Sequence, residues 1–150
     1  MSVPRFNHEL LPELKAWNGD AGVTALDWLY TFAQSDVTTA YALLFWPEFI
    51  VLEGYVFRSD FSEEILRGWE QQDGITRSQI EASANYLSVS DLFSNASEEE
   101  SPLLERRIDF LGRVLAQTYE AKLAKDFPDR HFTVSLFDDE DELTLTFFQT

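Results

Sequence analysis

Hydrophobic positions in this 150-residue chain recur mostly every three or four residues and alternate only near the end, so the pattern predicts helices followed by a β element. A first helix is expected over 7–17. A second is expected over 24–34, where Thr24 can cap, Asp27 stands at capping-box spacing and Val23 can staple onto Trp28. Asp36 opens a third over 37–45, which must stop before Pro47 because proline disfavours helical geometry in Trp46. Residues 48–57 (EFIVLEGYVF) are β-branched and aromatic, and they predict a buried strand bent or bulged at Gly54.

Helical spacing returns over 60–72, with Asp60 and Glu63 at capping-box distance and Phe61, Ile65 and Trp69 on one face. Asp73-Gly74 breaks it. Thr76 and Gln79 form the cleanest box, with Ile75 and Ile80 as its staple, and open a helix expected to reach about residue 87. Residues 94–101 (SNASEEES) form a polar loop. Ser101 then caps the strongest helix, with Pro102 at its first position and Leu104, Ile108, Leu111, Leu115, Tyr119 and Leu123 down one face. Finally Phe132, Val134 and Leu136 alternate with polar positions, as do Leu143, Leu145 and Phe147, on either side of five consecutive acids: a β-hairpin with an acidic tip. The expected fold class is α+β, about five helices packed on a small, mostly antiparallel sheet. A lone hairpin is marginal in water, and residues 48–57 are the candidate third strand. The length fits a single domain over 1–150, able to bury about two thirds of its unfolded surface.

Charge changes this picture most. The chain holds 27 Asp and Glu against 11 Lys and Arg, a formal net of −16, yet 45% of its residues are hydrophobic, with 13 Phe, 5 Tyr and 4 Trp. A disordered acidic chain would lack those aromatics, so this is a folded domain with a strongly negative surface. Such a surface repels nucleic acid and anionic lipid and attracts basic partners. The densest basic group, Arg106, Arg107 and Arg113, lies among Glu105, Asp109 and Glu120 at spacings that neutralise it. The longest apolar stretch, 40–57, is broken by Pro47, Glu48, Glu53 and Gly54, so no bilayer span is expected. The absence of cysteine and of an apolar leader fits a cytoplasmic protein.

Candidate chemistry is sparse. Without cysteine, and with only His8 and His131 far apart, no transition-metal set forms; both histidines read as structural. The acids Asp138 to Glu142 lack the alternating ligands and turn glycine of a calcium loop. There is no G-x-S-x-G and no glycine-rich phosphate cradle, and no cofactor is implied. Adjacent acids such as Glu63 and Glu64 cannot face each other across a cleft as glycoside chemistry requires.

What remains is recognition by charge. Five consecutive carboxylates exceed what a turn needs, and Glu98, Glu99 and Glu100 repeat the pattern. Both clusters point to a basic protein partner, and Asp138, Asp139, Glu140, Asp141 and Glu142, then Glu98, Glu99 and Glu100, are the candidate contacts. In size, acidity and freedom from catalytic motifs the chain is similar to bacterial immunity proteins, which implies an inhibitor masking the basic surface of a toxin or nuclease; the likeness carries over no individual residue. Two alternatives stand beside it. One is a small enzyme with a carboxylate in an aromatic pocket of Trp46, Tyr55 and Trp69; the other is an acidic scaffold subunit. In Phe45-Trp46-Pro47-Glu48-Phe49 the aromatics read first as core, and Trp46 or Trp69 as a partner anchor only if exposed.

Overall fold

Pro12 divides the first expected helix in two. Proline excludes helical geometry in the residue before it, and Leu11 sits at φ −131°, ψ 66°. A 3-10 turn, His8–Leu10, capped by the Asn7 side chain, therefore precedes α1, Pro12–Asn18. The computed structural model describes residues 4–18, 24–97 and 100–150. Helices α2 (Ala25–Phe32) and α3 (Ser35–Phe45) follow, and the Thr24–Asp27 box closes in both directions. Ala33 and Gln34 are extended, which ends α2 two residues before its apolar pattern does. Val23, the expected staple, lies outside the described residues. Trp46 leaves α3 at φ −134°, ψ 70°, as Pro47 requires.

Residues 48–57 are two strands rather than one. β1 (Phe49–Leu52) and β2 (Tyr55–Arg58) pair antiparallel around Glu53 and Gly54, at φ 51° and 88°. Two central residues with positive φ define the tight turn whose twist suits a hairpin, so Gly54 turns the chain instead of bulging it. Helix α4 (Glu63–Glu70) begins later than the Asp60–Glu63 spacing implied, because the chain first turns at 58–61, Phe61 N–H donating to Arg58 O at 3.0 Å, and Ser62 takes the cap position; Asp60 pairs with Arg58 at 3.4 Å. Its buried residue is Leu66, while Ile65 is exposed and Phe61 and Trp69 pack beside it. In α5 (Arg77–Ala84) the Thr76–Gln79 box closes, and the helix stops at Asn85, short of residue 87. Leu87–Ser88 is instead β3, followed by a 3-10 turn, Ser90–Phe93. Glu100, not Ser101, holds the cap position of α6 (Ser101–Asp126), with Pro102 in its first turn. The chain closes with β4 (Phe132–Asp139) and β5 (Glu142–Gln149) around Glu140 and Asp141.

The described residues form six helices and two small antiparallel sheets, β1-β2 and β3-β5-β4, an α+β fold with a C-terminal hairpin. The third strand of the last hairpin is β3, not residues 48–57, with Leu87 opposite Leu145. Side chains of β5 alternate between two faces, and all of Thr144 to Phe147 is buried because both faces are covered, by α6 on one side and α5 on the other. Leu145 and Phe147 join Leu115, Ala116, Tyr119 and Leu123 of α6 in the main core. Thr146 points the other way and donates its hydroxyl to Ala82 O of α5. Tyr55, Phe57, Leu66 and Ile80 make a second core under α4 and α5.

Buried polar groups join the two cores. Glu81, 2% exposed, accepts the backbone N–H of Val56 at 3.1 Å and of Gln149 at 2.6 Å. One turn later Asn85 donates to Val56 O and Phe147 O and accepts from Arg58 N–H. Arg107 ties the N-terminal segment to α6, bonding Glu13 twice, at 2.7 and 2.8 Å, with Leu10 O and Glu100 as further acceptors.

Candidate protein-interaction surface

Helices α2 and α3 contain no buried residue. α2 reads ALDWLYTF, apolar almost all round, and such a helix is normally enclosed on every side. Here one side meets α1, with the rings of Trp17 and Phe32 edge to face at 5.6 Å, and the rest stays open. Tyr30 is 77% exposed, Leu43 64% and Leu26 55%. Between the two helices runs a groove of about 880 Å³, walled by Trp28, Leu29, Tyr41 and Phe45 with Phe93 and Leu111 along its far side. Among the described residues no charged side chain lines it. Contiguous exposed apolar surface of this kind marks an interaction site more often than a solvated face.

The segment that supplies α2 and α3 carries charges of one sign. From Ala16 to Phe57 the chain has no Lys, Arg or His, but it has Asp20, Asp27, Asp36, Glu48 and Glu53. On α6, beyond the groove, Arg106 pairs with Glu9, Arg107 with Glu13 and Glu100, and Arg113 with Asp109.

The acidic hairpin is tied at its base to an element of this groove. Leu143 N–H donates to Ser90 Oγ at 2.9 Å, and Val89 N–H donates to Leu143 O at 2.8 Å, so the base of the tip is bound to the 3-10 turn that ends at Phe93. On α6, Gly112 lies against Leu143 and Leu136 so closely that a Cβ would come within 2.7 Å of Leu143 Cδ2. Its neighbour Leu111 is in the groove wall. Asp138, Asp139, Glu140, Asp141 and Glu142 are all exposed, and among the described residues none is in an ion pair. Glu142 accepts a 3.4 Å bond from Ser88 Oγ. Glu140 and Asp141 hold φ 48° and 69°. The second acidic cluster is placed differently: Glu100 accepts from Ser97 N–H and Arg107, while Glu98 and Glu99 lie outside the described residues.

Of the three aromatics expected around a catalytic carboxylate, Tyr55 and Trp69 share the second core and Trp46 lies elsewhere. Trp46, 45% exposed, stands at the end of α3 with Lys122 Nζ 5.8 Å from its ring, beside the Lys122–Asp126 ion pair. Tyr55 lies under the Arg77 guanidinium at 3.8 Å, and Trp69 packs in the second core. A different cleft, of about 530 Å³, opens below Pro47 between Leu44, Glu48, Arg58, Asp60, Tyr86 and Tyr119. Burial raises the Tyr119 pKa, with Arg58 opposing. Asp60 and Glu48 surround its single guanidinium, so the cleft has no excess of positive charge for an anion. Among the described residues two carboxyls shift, both downward. In Glu13 burial raises the pKa, but the hydrogen bonds and charge of Arg107 outweigh it; Glu53 is lowered chiefly by its hydrogen bonds from Arg67. Among the described residues no group of three His, Asp or Glu is placed to hold a metal, and no helix is long and apolar enough to cross a membrane.

Sequence reasoning located the tip and missed the groove. Its signal was present: an apolar, cation-free stretch in which a capping box sets the start of α2 while only Asp27 and Thr31 interrupt the apolar surface of that helix. Comparison with known protein families, curated proteins and solved structures finds no match to this chain.

Proposed function

We propose that this protein is an acidic binding module that occupies a basic surface on another protein, as an inhibitor or immunity protein would mask a toxin or nuclease. One observation carries the reading: an open apolar groove, with no charged side chain in its lining among the described residues, shares the turn that ends at Phe93 with a hairpin whose tip holds five exposed carboxylates, none in an ion pair among the described residues. The two parts divide the work of binding. The tip's field speeds encounter with a positive surface and makes it salt-dependent, whereas desolvating apolar side chains in the groove slows dissociation. Masking a nucleic-acid-binding face needs both, because such a face is basic at its rim and the inhibitor must outlast its competitor. The net charge of −16 keeps the module off nucleic acid and anionic membranes.

The test is capture of binders by the immobilised protein from its own cells, at low salt and at about 0.15 M, where screening reaches about 8 Å. One basic protein retained in stoichiometric amount, and lost on D138K/D139K/D141K reversal, is the expected result. A heterogeneous set of basic proteins that all wash off with salt would mean that the charge is generic, as in a scaffold subunit.

A further inference from the structure

We infer that the groove between α2 and α3 receives a single cationic amphipathic helix of the partner, its apolar stripe in the groove and its Lys and Arg directed to the acidic hairpin tip. This rests on the binding-module reading and adds what the partner presents. The walls are helical side chains, with Leu11, Phe93 and Leu111 completing the lining, so no free strand edge is available there for an added strand. A segment entering an apolar groove must satisfy its own backbone groups, and a helix does so internally. Apolar residues at i, i+3, i+4 and i+7 then match a groove bounded by two helices.

Charge selects the occupant. The two wall helices bear no cation, their Asp27 and Asp36 lie away from the groove lining, and the hairpin tied to the turn that ends at Phe93 carries five exposed carboxylates at its tip. A second copy of this chain would bring the same acids and another −16 to the interface, so like charges would face each other. An anionic lipid surface is repelled for the same reason.

The probe is a fluorescein-labelled Leu–Lys peptide of about 18 residues, long enough to form a helix, with leucines at i, i+3, i+4 and i+7. A control peptide has the same composition with the leucines spread evenly round the helix. Anisotropy titration of the whole protein is expected to give at least about tenfold tighter binding for the patterned peptide, a difference of about 1.4 kcal/mol. L29S and Y41S, which replace side chains already half exposed, are each expected to weaken the patterned peptide about tenfold while leaving the control unchanged. Equal binding of both peptides would overturn the groove and leave the acidic-module reading standing. No binding of either at low salt would overturn both. A concentration-dependent dimer in sedimentation velocity, dissociated by L29S, would assign the groove to a second copy and also overturn the inference. The wild-type comparison of the two peptides decides the matter even if a variant folds poorly.

Discussion

Glu81 holds together pieces of chain that are far apart in sequence. Its carboxylate accepts backbone N–H groups from β2 and β5, with no arginine or lysine among its hydrogen-bond donors. Removing it orphans two buried donors, each costing about 1–3 kcal/mol. Glu81→Ala is therefore expected to lower stability by about 2–4 kcal/mol, seen as a lower urea midpoint with an unchanged slope. Nothing in the sequence singled out this residue, since a glutamate on a capped helix reads as solvated; only the packing of α5 across two hairpins makes it internal. The same limit applied to α4, where spacing pointed to Ile65 and packing buried Leu66. Glu13 makes a pH prediction. Its folded pKa lies below the ordinary value of 4.5, so its pairing with Arg107 stabilises fully above that value and is lost as pH falls through the folded pKa. Arg107→Gln should flatten the acid limb of stability against pH below about 4.5; an unchanged limb would remove this pair from acid unfolding.

Both hairpins turn on two residues with positive φ, and they differed in legibility for a physical reason. Alternation and a run of acids displayed the second turn, whereas Glu53-Gly54 is a short polar interruption within a continuous apolar run. Side-chain spacing of two does not show where such a run reverses. At the second turn Glu140 and Asp141 hold a conformation that costs residues with a Cβ roughly 1 kcal/mol or more. Replacing them by Asn-Gly is expected to raise stability by about 1 kcal/mol and Tm by about 2–4 °C, measured calorimetrically. The closing capping boxes show that the starts of α2 and α5 were also legible. Which part of α2 would be covered was not, because its apolar arc, interrupted only by the stripe of Asp27 and Thr31, is wider than one neighbouring element covers. That ambiguity is why the groove escaped the sequence and the tip did not.

For the molecule as a whole, a net charge of −16 means self-repulsion that attractive pairs offset only locally. Most ion pairs, such as Arg67 with Glu53, are at the surface and worth little. Raising sodium chloride from about 0.05 to 0.5 M shortens the screening length severalfold, and it should raise Tm by a few degrees, whereas binding to a basic partner should weaken over the same range. A fall in Tm with salt would show that the pairs outweigh the repulsion. Strong acidity and exposed apolar surface conflict in a protein with no partner, because the first favours solubility and the second opposes it; a partner that is both basic and apolar resolves the conflict.

The central claim, that the α2–α3 groove and the hairpin tip form one binding surface, is tested most directly by mapping amide shifts in 15N-labelled protein on titration with its captured basic partner. The account predicts shifts concentrated in 25–45, around Phe93 and over 138–142, with Glu81 and the second core unmoved. Shifts confined to the cleft below Pro47, or confined to the tip with α2 and α3 unchanged, would contradict it.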